Sequence, residues 1–272
     1  MASTPEYEIH AIRYGRHSER LIYENFLPPL PAWTDQHDAP MPMDFYVWVL
    51  RDGDRVIAVD TGFDKAQGAE RARELVLPVE QALQALGIAP DKVSDVILTH
   101  MHWDHAGNHG LYPNARYHVQ AREMEFCTGP CMCHAAIRKP YSVEDVAVLL
   151  RRVYAGRVQF HDGVGEICPG VSVHLTGGHS RGLQVVRVAT RRGPVVLASD
   201  AAHYYANIEG NHPFPILDRA EDMLEGYSLV RRLAPTPDHI VPGHDPLVCQ
   251  YYPASLTNGP AGIVRLDVPP SS

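Results

Sequence analysis

The most constraining stretch is Val96-Ile97-Leu98-Thr99-His100-Met101-His102-Trp103-Asp104-His105-Ala106-Gly107, where an apolar run ends abruptly in three histidines and an aspartate. Val96, Ile97 and Leu98 predict a short buried strand. The polar residues that follow cannot continue it, because burying them without partners costs several kcal/mol. A loop at the strand end that gathers a metal ion resolves the conflict, and imidazole plus carboxylate is a donor set that Zn²⁺ accepts. Alternate residues of an extended segment point the same way, so His100 and His102 can chelate one ion. Asp104 and His105, past the bend, can face a second.

Three further strand ends finish in the same manner. Thr176-Gly-Gly-His179 follows Val173 to Leu175, Ser199-Asp200 follows Val195 to Ala198, and Pro242-Gly-His244 follows His239 to Val241. Glycine before His179 and His244 lets the backbone turn tightly. The remaining histidines (His10, His17, His37, His109, His118, His161, His174, His212 and His239) lack this context and are expected to be structural or exposed. Cys127, Cys131, Cys133 and His134 lie within one short loop. A structural zinc there lacks a partner pair elsewhere, and thiols lining an apolar lid are the simpler expectation.

Around these sites the pattern alternates between strands and helices. Phe45 to Leu50 and Arg55 to Asp60 flank Asp52-Gly53 as a hairpin. Leu183 to Thr190 and Val195 to Ser199 flank a second turn. Helices are expected over Pro78 to Leu86, after a Ser142/Asp145 capping box, and after a cap at Asp218. The pattern supports an α+β or α/β layered arrangement in which two mixed sheets pack with helices outside. The 272 residues fit one domain spanning 1–272. Residues 15–43, rich in proline, are expected to form an irregular extension. Residues 124–162 are expected to form a helical insert near the site.

Composition enters as a filter on partners. The net charge of -8 disfavours nucleic acid, which needs a basic face. No signal segment or membrane span is evident, and the odd set of five cysteines suits reduced thiols, so a cytoplasmic location is expected.

His100-x-His102-x-Asp104-His105, followed by His179, Asp200 and His244, resembles the metallo-β-lactamase superfamily over roughly residues 44–250. Asp60-Thr61-Gly62 is similar to that superfamily's early strand-end turn. The resemblance implies an αββα sandwich with a dinuclear site, occupied by two Zn²⁺ with Fe or Mn as alternatives. His100, His102 and His179 would hold one metal, Asp104, His105 and His244 the other, and Asp200 would bridge both. True β-lactamases of the superfamily lack the bridging aspartate. The chain is most similar to the N-acyl homoserine lactonase-like branch, through Asp200-Ala201-Ala202 and Gly243-His244-Asp245. That similarity implies quorum-quenching lactone hydrolysis by attack of a metal-bridging hydroxide, with Asp104 also carrying a proton to the leaving alkoxide. The alternative is a superfamily hydrolase of another cyclic amide, ester or thioester, or a phosphodiesterase.

Many such lactonases carry a substrate-polarising tyrosine three residues after the bridging aspartate. Here that position is His203, followed by Tyr204 and Tyr205. His203 and Tyr204 are the candidate catalytic donors beside Asp104. Trp33, Met41, Met43 and Trp103 are candidate acyl-pocket residues. In related lactonases an N-terminal extension crosses a dimer interface, so the 15–43 segment is a candidate homodimer contact.

Overall fold

The computed structural model describes residues 5–32, 34 and 39–271. Its strands are β1 (Glu8–His17), β2 (Met43–Asp52), β3 (Arg55–Val59), β4 (Glu74–Leu75), β5 (Asp95–Ile97), β6 (Arg116–Gln120) and β7 (Val158–His161). There follow β8 (Val164–Cys168), β9 (Val171–Leu175), β10 (Gln184–Val188), β11 (Val195–Ser199), β12 (Ile240–Pro242) and β13 (Ile263–Arg265). They form two mixed sheets, ordered β13-β1-β2-β3-β5-β6-β7, with β4 on β1, and β12-β11-β10-β9-β8.

Period-two alternation makes β2 a two-sided core strand. Trp48 and Leu50 face the second sheet and pack with Val173, Val186 and Leu197. Val47 and Val49 face the other way, onto Ala82 and Leu83 of the helix Val79–Ala85. The outer face of the second sheet, through Val185 and Val196, packs on Met223, Tyr227 and Val230 of the helix Ala220–Leu233. The order helix, sheet, sheet, helix is the αββα sandwich expected from the residue pattern and the resemblance.

β3 and β5 run parallel, as do β11 and β12. Parallel strands release their chains at the same edge, so Asp60, the His100 loop, Asp200 and His244 emerge together. Gly243 is where this edge is tightest. A Cβ there would stand 2.7 Å from the Ser199 backbone and 2.9 Å from an Asp200 carboxylate oxygen.

Several expectations need correction. β1 extends to His17 and β2 begins at Met43, so the irregular extension is shorter than 15–43. Within it a 3₁₀ turn forms at Ile22–Glu24, and Leu21 bridges Pro40. Two contacts tie the segment to the 207–213 stretch: Asn207 donates to the Asn25 carbonyl at 3.0 Å, and Leu27 N–H donates to Pro213 O at 2.7 Å. The 124–162 insert is helical, but its last residues are β7, an edge strand of the first sheet. Its exposed Phe160 masks the alternation that would mark a strand. The helix Ala220–Leu233 starts after Arg219, with Asp218 instead paired to Arg181 at 3.1 Å. Ser142 does cap the helix Val143–Tyr154, but the Asp145 carboxylate turns away to Gln67 and His109.

Candidate metal centre

The loop after β5 folds back as one short helix, Trp103–Ala106, that carries Asp104 and His105 inward. His179 Nε2 stands 2.8 Å from His102 Nδ1 and 3.2 Å from His100 Nε2. Ligand atoms on a tetrahedral ion with ~2.0–2.1 Å bonds stand ~3.3 Å apart, close to these separations. On the other side, His105 Nε2 lies 3.5 Å from Asp104 Oδ2, which is 3.9 Å from His244 Nε2. Asp200 divides its oxygens between the groups. Oδ2 is 3.2 Å from His179 Nε2, while Oδ1 is 3.2 Å from His105 Nε2 and 3.0 Å from His244 Nε2. All seven side chains predicted as ligands therefore converge, within buried surroundings.

The outer imidazole nitrogens decide what the inner ones present. His179 Nδ1–H donates to Ile216 O at 2.6 Å, His244 Nδ1–H to Asp44 O at 2.8 Å, and His105 Nδ1–H to Asp60 Oδ2 at 2.8 Å. Each bond fixes the tautomer with the proton outward, leaving a lone pair at Nε2 facing the centre. His105 Nε2 is buried with no hydrogen-bond partner. Converging lone pairs beside carboxylates repel one another unless a cation sits between them, so the donor set fits metal ions.

The titration behaviour points the same way. Burial and neighbouring imidazoles hold His100 and His102 well below the usual histidine pKa. His105 goes the opposite way: burial opposes its charge, but Asp200, Asp104 and Asp60 raise it well above the usual value. The negative field that would hold a proton on His105 also draws a cation. Asp104 and Asp200 stay below the ordinary carboxylate range; burial works against this, and the surrounding histidines outweigh it.

Residues outside the predicted ligand set hold this arrangement. Asp60 accepts from Thr99 N–H at 2.7 Å and Thr99 Oγ1–H at 2.8 Å besides orienting His105. Its place at the end of β3, in Asp60-Thr61-Gly62, was the available signal. Glu123 is fully buried and accepts from Met101 N–H (2.9 Å), Ser180 Oγ–H (2.8 Å) and Gly182 N–H (2.9 Å). It ties the His100 loop to the His179 loop. A lone glutamate on a helix carries no local signal of such a role.

His203 points into the centre. Its Nε2 is 3.0 Å from Asp200 Oδ2, its ring stacks on Phe214 at 3.5 Å, and with His179 and Asp200 it forms a further metal-compatible group. Burial pushes its pKa down to about 3, so the ring is neutral at physiological pH. An ionised carboxylate only accepts, so Nε2 carries the proton and Nδ1, buried and unpartnered, carries the lone pair. Tyr204 is placed otherwise. Its hydroxyl donates to Pro42 O at 3.2 Å and reaches Met41 O at 3.4 Å, away from the ligand cluster. Tyr204, expected as a donor, spends its hydroxyl on these backbone carbonyls in this structure. Tyr205 packs on Tyr251 with ring centroids 5.6 Å apart.

The insert reaches the site through Tyr141, whose ring meets the His102 ring edge-on at 4.6 Å. Trp103 is sandwiched between Phe63, 4.7 Å away, and the Arg71 guanidinium at 4.8 Å. Met43 is buried in the core and Met41 is half-buried beside it, while Trp33 and His37 lie outside the described residues. Among the described residues no metal-compatible group includes Cys127, Cys131, Cys133 or any of the other histidines expected to be structural. His118, for example, pairs with Asp95 at 3.0 Å. No helix among the described residues is long and apolar enough to cross a membrane.

A family model described as the metallo-beta-lactamase superfamily matches residues 46–244. The chain is similar to an N-acyl homoserine lactonase of Bacillus thuringiensis, 32% identical over 137 residues, which cover 50% of this chain and 49% of that protein. It is also similar to the N-acyl homoserine lactonase AttM of Rhizobium johnstonii, 26% identical over 225 residues, covering 77% of this chain and 84% of that one. Matches to the Bacillus thuringiensis relatives thus span about half of their length. Among solved structures, a quorum-quenching N-acyl homoserine lactone hydrolase superposes with a TM-score of 0.69 at 26% identity, covering 90% of this chain and 95% of that chain.

Proposed function

The chain belongs to the metallo-beta-lactamase superfamily, and on that premise we propose that it is a metal-dependent hydrolase that opens the ring of a lactone, of the N-acyl homoserine lactone type. The observation that carries the proposal is the division of Asp200 between two imidazole groups. That split suits two ions, with Zn²⁺ favoured by the imidazole-rich donor set. His100, His102 and His179 would hold one, Asp104, His105 and His244 the other, and Asp200 both. The similarity to named lactonases supports the substrate class. Bound there, the ions would lower the pKa of water toward neutrality and polarise an ester carbonyl.

The chain's own residues complete the chemistry. Water adds to the lactone carbonyl carbon, the ring C–O bond breaks, and the products are a carboxylate and a hydroxyl on one molecule. Asp104 remains ionised in its setting, so its Oδ2 can accept a proton and return it to the alkoxide oxygen of the opening ring. His203 Nε2–H holds the Asp200 carboxylate in orientation. Its Nδ1 lone pair is an acceptor, the reverse of what a tyrosine hydroxyl at that place would offer. Trp103, between Phe63 and Arg71, closes one side of the site against water. Tyr204 fixes the 41–42 backbone opposite.

A panel of lactones, lactams, thioesters and bis-p-nitrophenyl phosphate, assayed with metal-loaded protein, tests the proposal. Lactone opening well above the other classes is expected. Phosphodiester cleavage without lactone turnover would overturn it.

A further inference from the structure

Three arginines, Arg71, Arg73 and Arg20, lie on the Trp103 and Met41 side of the metal centre, and among the described residues none is ion-paired with a carboxylate within 4.0 Å. Arg71 lies over the Trp103 ring and donates to Lys139 O at 3.1 Å and Tyr141 O at 3.4 Å. Trp103 separates two of the ligands, His102 and Asp104, and Tyr141 touches the His102 ring, so Arg71 sits one residue behind the metal cluster. Arg73 follows two residues on, half-buried, with one guanidinium nitrogen on the Arg71 and Ala72 carbonyls at 2.9 and 3.0 Å. Arg20 is 5% exposed. It donates to Glu24 O at 2.8 Å and to the Asn25 side chain, and its own carbonyl receives Met41 N–H at 2.8 Å. Met41 is in turn reached by the hydroxyl of Tyr204, the neighbour of His203.

A guanidinium carries five N–H donors. Each of these three spends two or fewer hydrogens on backbone or amide acceptors, and retains donors for another group. Their mutual placement is unfavourable as it stands. Burial pulls the Arg73 pKa down, with Arg20 and Arg71 adding to the effect, whereas Asp104 and Glu24 oppose it. Glu24 Oε2 accepts Leu21 N–H at 2.8 Å and Glu74 Oε1 accepts Ser18 Oγ–H at 2.6 Å, so these carboxylates offset the arc's charge from a distance without pairing with it. Half-buried like charges are costly unless something of opposite charge joins them. This concentration of positive charge occurs in a chain whose net charge is -8.

We propose that the arc of Arg20, Arg73 and Arg71 binds an anionic group, a carboxylate or a phosphate, carried by the substrate outside its scissile ring. The inference rests on the hydrolase reading above and narrows its substrate class from neutral acyl lactones to anionic ones. Guanidinium groups pair with planar carboxylates and with phosphates through two parallel N–H bonds. Such a pair holds the ring toward Asp104 while leaving the carbonyl free for attack. The arc keeps hold of that remote anionic group after the ring has opened, so product release is expected to quicken as salt rises.

The test compares two N-acyl homoserine lactones of equal chain length, one ending in a methyl and one in a carboxylate, with a phosphate-terminated analogue as a third arm. With metal-loaded wild type, kcat/KM for an anionic substrate should exceed that for the neutral one by about tenfold or more, the size of one charge-assisted hydrogen bond. The ratio should shrink with added salt. The higher of the two anionic arms identifies carboxylate or phosphate. In Arg73→Gln the ratio should fall toward one, and Arg73→Lys, keeping charge but not the fork, should fall between. Arg71→Gln repeats the test if the first variant melts early. A wild-type ratio of one or less, insensitive to salt, overturns the proposal. If neither lactone opens, the hydrolase reading fails separately, and calorimetry with glutarate or inorganic phosphate then decides. Binding to wild type that weakens in Arg73→Gln sustains the arc, and equal or no binding in both overturns it.

Discussion

The floor of the site and its wall are built by different means. The floor, the side chains of His100, His102, Asp104, His105, His179, Asp200 and His244, hangs on strand ends, and its outer nitrogens are pinned by the carbonyls of Ile216 and Asp44 and by the Asp60 carboxylate. The wall, made of Trp103, Tyr141, Tyr204 and the arginine arc, hangs on loops, an insert and stacked rings. A strand end fixes a side chain through its neighbours in the ladder, whereas a loop fixes it only through the contacts its side chains find. The floor therefore sets which reaction is possible, and the wall sets which molecule undergoes it.

Breaking the floor should cost most. Asp200→Ala removes the one carboxylate shared by both ligand groups, and turnover should drop by several orders of magnitude together with the metal content measured by elemental analysis. Retained metal with normal turnover would put the centre elsewhere. His203 lies where floor meets wall. His203→Ala should lower kcat by about 10²-fold, while Tyr204→Phe keeps wild-type turnover because its hydroxyl serves Met41 and Pro42. The reverse ranking in steady-state assays would exchange the roles of the two residues.

Asp60→Asn leaves every ligand in place but weakens the orientation of His105. Metal affinity, read by competition with a chromophoric chelator, should fall about 10–100-fold, with the folded structure retained. An unchanged affinity would make Asp60 a packing residue only. The smallest effect belongs to a control outside both regions. His10 accepts or donates at Ser255 Oγ, 2.9 Å away, and burial with Arg265 nearby pushes its pKa down to about 4. The unfolded chain therefore takes up this proton first as pH falls, so stability is full above about 6.5 and is lost progressively between 6.5 and 4. Melting temperatures of wild type and His10→Gln should converge across that window, and a constant gap would mean that His10 does not couple protonation to unfolding.

The same contrast governs what was legible in the sequence. Strand-end histidines and aspartates announce themselves, because an apolar run that stops at a charged cluster must find partners for those charges, and a metal ion supplies them at once. Hence His179 and His244, 65 residues apart in the numbering, stand out as strand-end histidines, while their place in one ligand set with His100 comes from the family resemblance; the hairpins and interspersed helices suggest two packed mixed sheets. Side-chain direction within an irregular segment has no such signature. Nothing in His203-Tyr204-Tyr205 says which ring turns inward; Phe214, eleven residues later than His203, settles it by stacking on the histidine. β7 was hidden for a related reason, since an edge strand with Phe160 exposed lacks the alternation of a half-buried one. Glu123 is legible only in three dimensions, where two loops need one acceptor between them.

The most direct measurement is lactone opening, followed by proton release in a pH-stat, as metal-free protein is titrated with Zn²⁺. Activity should rise to a plateau at two equivalents per chain, and Asp200→Ala should abolish both the uptake and the activity. A chain that takes up two equivalents and leaves every lactone closed, or one that opens lactones equally well without metal, would contradict a metal-dependent lactonase.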